Sequence, residues 1–184
     1  MASSFTGNGW PAAVSQFTRA AAQSPLPTEP QPLNRERVRW LSSMVMSELF
    51  ELACSVSAPE DGKTQKEIAS ELLDEAYAKI DKNGDAYSPE PIVQASQQAD
   101  AIVDWIYYSL NVAAAHCIDI EPVFELVHAA NMTKVDSATG IVRRNEDGKI
   151  QKPPGWTPPD IESELKRQLS VCRENQQKRL KLEN

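Results

Sequence analysis

Histidine is nearly absent from this chain: 184 residues carry only His116 and His128. No arrangement of nucleophile and histidine base is indicated around either of them. No GxSxG elbow and no phosphate-cradling GxxxxGK[ST] loop occurs either, which removes the commonest nucleophile and P-loop readings. The three cysteines, Cys54, Cys117 and Cys172, are widely separated and form no CxxC pair. Neither a disulfide framework nor a zinc ribbon is indicated, and a reducing, cytoplasmic location is expected. No apolar run approaches the roughly 20 residues that cross a bilayer, and no signal peptide is visible, so no membrane partner is expected. The first 28 residues lack acids, as organelle transit peptides do, yet their single cation, Arg19, puts targeting behind the cytoplasmic reading. Basic charge is also short, with 19 Lys and Arg against 26 Asp and Glu and a net charge of −7. That balance argues against a nucleic-acid polymer as partner, because phosphate backbones are bound by clustered cations. An anionic substrate would need a cation brought with it.

What the chain does hold is helical periodicity. With 41% hydrophobic residues it suits one globular domain of ordinary size. A short amphipathic helix is predicted over Pro11 to Ala22, ended by the proline-rich stretch Ser24 to Pro32. A first long helix follows from Arg35 to Val56, with Leu41, Val45, Leu49 and Leu52 on one stripe and Pro59, Asp61 and Gly62 as its stop. Lys63 to Ala78 reads as a polar amphipathic helix. Ile92 to His116 is the most apolar element, with Ile102, Val103, Ile106 and Leu110 on a wide face. Asp119 is a good N-cap for a helix to Met132, with Glu121 at the positive dipole end and Pro122 tolerated in the first turn. Residues 135–150 suggest a small extended or hairpin excursion, with Gly140 and Asp147-Gly148 as turn formers. After KPPGWTPP, Asp160 caps a charged helix to about Lys181. The fold class expected is all-α, a four-helix-bundle type of core. The sequential division is 1–34 as N-terminal helix and linker, 35–159 as the main domain and 160–184 as the charged C-terminal helix.

Two acidic pairs stand out within this pattern. Glu48 and Glu51 are one turn apart in the first long helix, and Glu48 falls into the Leu41, Val45, Leu52 stripe, so it is predicted to face inward. Asp100 and Asp104 lie in the most apolar helix, on a row that continues to Tyr107 and Asn111. Solvated surface acids are the plain alternative for the first pair, at about even odds. The second pair shifts the balance, because carboxylates among apolar side chains are costly unless something offsets their desolvation. Buried Arg37 or Arg39 could do so, but a hard divalent cation suits two converging carboxylate pairs better. The competing signal DKNGD, with Asp81, Asn83 and Asp85, begins like a calcium-binding EF-hand loop. It fails where that loop needs Gly and Glu, since Ala86 and Ile92 stand there, and it reads as a turn.

The order of these pieces is distinctive: an acidic helix, an apolar helix with DxxxDxxY, then IDIEPVFELVHAANMTK and GKIQKPPGW. It resembles the all-α nucleoside triphosphate pyrophosphohydrolases, the superfamily of MazG-like and phosphoribosyl-ATP pyrophosphohydrolase-like proteins, over about Val14 to Asp160. The resemblance implies a four-helix core completed by dimerisation, a homodimer or homotetramer. It implies Mg²⁺, with Mn²⁺ as a possible substitute, held by Glu48, Glu51, Asp100 and Asp104, with Glu48 and Glu51 catalytic. The implied reaction cleaves a nucleoside or deoxynucleoside triphosphate between the α and β phosphates, giving a monophosphate and pyrophosphate, in a nucleotide-sanitising role.

Asn131 and Lys134, one turn apart, are expected at the phosphates together with Lys152, and Tyr107 at the base or sugar. From spacing alone Lys134 is as well explained as a C-terminal helix residue answering the dipole, and Tyr107 as core. His128 reads as a structural residue. The chain departs from the family pattern at Ser47, where relatives carry a first glutamate. A weakened member acting as a nucleotide-binding or helical interaction module is therefore the main rival, and a purely structural bundle the third.

Overall fold

The computed structural model describes residues 9–55, 62–79 and 88–182. The turn assigned to DKNGD at 81–85 and the stop signals at Pro59 and Asp61 lie outside the described residues, as do residues 1–8. Six helices follow one another: α1 (Trp10–Ala21), α2 (Arg35–Ser55), α3 (Gln65–Lys79), α4 (Pro91–Ala115), α5 (Ile120–Met132) and α6 (Ile161–Leu182). No strand occurs among the described residues. Two isolated antiparallel bridges, Val135 with Val142 and Arg144 with Ile150, form the small excursion expected at 135–150. The chain is all-α, and it separates into two compact units, one of Met1–Glu29 with Val103–Asn184 and one of Pro30–Ile102.

In the unit of Pro30–Ile102, local chemistry fixes where the helices begin. The Asn34 side chain accepts from the Arg37 amide at 2.8 Å, satisfying one of the orphan donors of α2. Thr64 and Glu67 form a reciprocal capping box ahead of α3. The Thr64 amide donates to Glu67 Oε2 at 2.7 Å, and the Glu67 amide donates to Thr64 Oγ1 at 3.3 Å. This box sets the start of α3 at Gln65, two residues later than the charge pattern alone suggests. Gln98 of α4 ties the linker down by accepting from the Leu33 amide at 2.6 Å and donating to the Leu33 carbonyl at 3.1 Å. Helices α2 and α3 face each other across apolar side chains, and Leu49, Phe50, Leu72 and Tyr77 help to line an open apolar cavity of about 720 Å³.

The apolar stripes read from the sequence are present, but they remain open. No residue of α2, α3 or α4 is buried, and Leu52 keeps 63% of its surface exposed. Glu48, predicted to face inward, is exposed for the same reason, as are Glu51, Asp100 and Asp104. A helix stripe marks the face that seeks a partner, and in the single chain that face stays uncovered.

The unit containing residues 103–184 is built around α5. Trp10 of α1 stacks on Phe124 of α5 with ring centroids 4.8 Å apart, and His128 continues the ladder 6.1 Å beyond Phe124. Val142 donates its amide to the Ala20 carbonyl at 3.1 Å, and Arg144 donates to the Ala21 carbonyl at 2.8 Å. The excursion thereby satisfies carbonyls that the C-terminus of α1 leaves unpaired. Asp119 caps α5 through the Glu121 amide at 3.2 Å, and Asp160 caps α6 through the Ser163 amide at 3.0 Å. Both caps are the ones the sequence indicates.

Candidate functional site

The motif acids come from two helices. Helical spacing sets Glu48 and Glu51 one turn apart on α2, and Asp100 and Asp104 one turn apart on α4. All four side chains are exposed. None is engaged by a lysine or arginine in the ion pairs formed among the described residues. As a donor set, four free carboxylates fit a hard divalent cation. Within neither unit do the described residues gather three or more acids, histidines or cysteines around one point, so Glu48, Glu51 and Asp100 are not drawn together in the unit they share. Ser47 donates its hydroxyl to the Met44 carbonyl at 2.7 Å and is thus occupied within its own helix. Tyr107 lies on α4 with 67% of its surface exposed, which excludes a core role for it within the chain.

A second cluster forms at the end of α5. Lys134 donates from Nζ to Asn131 Oδ1 at 2.7 Å, joining two residues that the sequence pairs by spacing. The KPPGW segment folds back over them. The Trp156 amide donates to the Pro153 carbonyl at 3.1 Å, and Gly155 sits at φ +75°. Proline followed by a glycine of positive φ is the chemistry of a type II turn, and it aims the indole at α5. Trp156 Nε1 then donates to the Ala130 carbonyl at 3.2 Å. The ring becomes a platform for two ammonium groups, Lys152 at 4.0 Å and Lys134 at 5.4 Å from its centroid. Partial burial, followed by the like charge of Lys152, holds the pKa of Lys134 below the usual lysine value.

These two lysines open onto a cavity of about 1110 Å³ that the excursion completes with Asp136, Arg143, Asn145 and Lys149. The Asp136 carboxylate is already committed. It accepts from Arg143 Nε at 2.9 Å and from the amides of Ala138 and Thr139 at 2.9 and 3.2 Å. Those bonds, Arg143 first, hold its pKa below the ordinary carboxylate value. Asn145 anchors the turn that presents Lys149, its Oδ1 accepting from the Lys149 amide at 2.8 Å. Sequence reasoning finds Lys134 and Lys152 but misses Arg143, Asn145 and Lys149. Helical spacing carries no information about residues brought in by turns, and the only available signal is the density of cations around Asp147-Gly148.

Neither a protein-family model nor a curated protein matches the chain. Among solved structures, a candidate NTP pyrophosphohydrolase from Exiguobacterium sp. 255-15 superposes with a TM-score of 0.69. The match covers 90% of this chain and 96% of that one at 24% identity. Such a likeness spans most of both chains and speaks for architecture. The chain is all-α and shares its fold with that structure.

Proposed function

We propose that the chain is a Mg²⁺-dependent nucleoside triphosphate pyrophosphohydrolase that converts a nucleoside or deoxynucleoside triphosphate to the monophosphate and pyrophosphate. The observation that carries this reading is the state of the acids. Glu48, Glu51, Asp100 and Asp104 are exposed, and no ion pair among the described residues spends them. Unpaired carboxylates one turn apart on each of two helices are the hard oxygen donors that a divalent cation takes.

In this reading Glu48, Glu51, Asp100 and Asp104 would hold Mg²⁺, or Mn²⁺ in its place. The ion supplies charge neutralisation at the phosphate oxygens and a water of lowered pKa. Glu48 and Glu51 also orient the attacking water. Asn131 donates its amide to a phosphate oxygen, and Lys134 and Lys152 act as point charges. Tyr107 lies against the base or sugar. The open stripes of α2, α3 and α4, including Leu49, Leu52 and Trp105, are covered by a second copy in a homodimer or homotetramer.

The test is pyrophosphate release from a panel of nucleotides with Mg²⁺, run beside Glu48→Gln. Release by the native chain that falls at least about a hundredfold in the variant is expected, on the scale of losing a metal-positioning group. Equal release by both proteins overturns the metal role of Glu48. Metal-dependent thermal stabilisation, present in the native chain and lost in Asp104→Asn, is the matching binding result.

A second reading, a nucleotide-binding module with weakened catalysis, has its own support in the Ser47 hydroxyl, which is turned onto the Met44 carbonyl. It predicts saturable nucleotide binding with Mg²⁺ and no pyrophosphate release.

A further inference from the structure

Lys134 is set apart by the place of its amine. It is half-buried at the end of α5, whereas Lys66, Lys79, Lys149, Lys152 and Lys178 are exposed. It takes part in no ion pair formed among the described residues, and its hydrogen bond runs to the neutral amide of Asn131 at 2.7 Å. The charges that share its cavity of about 1110 Å³ are mostly of its own sign. Arg143, Lys149 and Lys152 line that cavity, and the Asp136 carboxylate, which lines it too, is taken up by Arg143.

Trp156 decides which of its two neighbouring ammonium groups keeps its proton. An aromatic face favours a cation lying over it. Lys152 sits 4.0 Å from the ring centroid and Lys134 5.4 Å, so the ring holds Lys152 in its charged form more firmly. Lys152 then acts on Lys134 as a fixed like charge. Burial, followed by that charge, lowers the pKa of Lys134. A lysine beside a second cation in a partly desolvated place yields a free, nucleophilic amine below the ordinary lysine range.

The surroundings of the amine select its electrophile. Lys149 and Lys152 take part in no ion pair formed among the described residues, and their charge draws in an anionic reagent ahead of a neutral one. An acyl phosphate combines a carbonyl carbon for the amine with an anionic leaving group for these cations.

We propose that Lys134 is an acylation site, modified by small acyl phosphates without the help of a second enzyme. The Nζ lone pair attacks the carbonyl carbon, and the bond from that carbon to the bridging oxygen breaks. Orthophosphate leaves with the electron pair, the amine gives up a proton to solvent, and an uncharged amide remains. On the hydrolase reading proposed above, the modification also removes a phosphate contact and lowers turnover. That consequence rests on that reading, whereas the acylation rests on Lys134, Lys152 and Trp156 alone.

The test is incubation of the full chain with acetyl phosphate at pH 8, where an ordinary lysine is almost wholly protonated. Acetylation of each lysine is followed over time by peptide mass spectrometry. Lys134 is expected to react at least fivefold faster than the exposed Lys66 and Lys79. Lys152→Gln, with unchanged far-ultraviolet circular dichroism, should slow Lys134 threefold or more and leave Lys66 and Lys79 as they were. With acetic anhydride, which is neutral, the preference for Lys134 should persist at a smaller factor. A Lys134 rate no greater than those of Lys66 and Lys79 overturns the proposal, and so does a rate unaltered in Lys152→Gln.

Pyrophosphate release from nucleotides keeps the two readings apart. Fast acetylation of Lys134 in a chain that releases no pyrophosphate upholds the acylation site and removes the enzyme. Active hydrolysis by a chain whose Lys134 reacts no faster than Lys66 upholds the enzyme and removes the acylation site.

Discussion

Gln168 of α6 holds the backbone of Asp119 with both ends of its side-chain amide. Its Oε1 accepts from the Asp119 amide at 3.0 Å and its Nε2 donates to the Asp119 carbonyl at 2.9 Å. The same Nε2 also reaches Glu164 Oε1 at 2.9 Å. Asp119 is the N-cap of α5, so a single side chain fixes the start of one helix to the flank of another. A partly exposed hydrogen bond contributes about 0.5 to 1.5 kcal/mol net. Gln168→Ala should therefore destabilise the chain by about 1 to 2 kcal/mol in thermal unfolding followed by circular dichroism. Gln168→Glu should cost more, because it exchanges the donor for a charge facing both a carbonyl and Glu164. A glutamate variant as stable as the native chain would show that this pairing has no energetic weight.

Beside it, Glu164 and Arg167 form a two-pronged pair with both contacts at 2.7 Å. Those bonds, Arg167 first and Gln168 second, bring the Glu164 carboxyl from its ordinary 4.5 down to about 2. The sign follows from linkage: a carboxylate with a lowered folded pKa contributes stability that is complete above its unfolded value and disappears as the pH falls through the folded one. The difference in urea stability between the native chain and Glu164→Gln should thus be constant above about pH 4.5, shrink between 4.5 and about 2, and vanish below. A difference that is flat across this window would mean the pair survives only as geometry.

These junctions also mark how far the sequence could be read. The caps at Asp119 and Asp160 were legible because each depends on a few neighbouring residues whose chemistry is self-contained. The helices were legible through their period. Burial of Glu48 was not, because the stripe of Leu41, Val45 and Leu52 says which face is apolar and nothing about what covers it. Arg143 and Lys149 escaped notice for a different reason. Arg143 comes after the chain has turned at Asp136 to Gly140, and Lys149 after a second turn at Asn145 to Gly148, where Gly140 and Gly148 adopt φ of +69° and +78°. Two turns erase any spacing that could tie them to Lys134. The acids on α2 and α4 and the cations of the excursion were thus unequally visible.

One residue departs from local preference without a compensating contact. Cys117, just past α4, has φ +56°. It occupies the left-handed position of a Schellman closure, with the Ile118 amide donating to the Ala113 carbonyl at 3.0 Å and the Cys117 amide to the Ala114 carbonyl at 3.1 Å. Glycine is the usual residue there, because a side chain in that conformation costs about 1 to 2 kcal/mol. Glycine gives back about 0.5 to 1 kcal/mol through the added freedom of the unfolded chain. The two effects leave Cys117→Gly more stable by about 0.5 to 1 kcal/mol. Cys117→Ala, which removes the thiol but keeps the strain, should show no such gain. The comparison isolates backbone conformation from sulfur chemistry, since the thiol is exposed and both variants lack it. If the alanine and glycine variants unfold at the same temperature, the left-handed turn carries no strain, and the closure of α4 is held by its two hydrogen bonds alone.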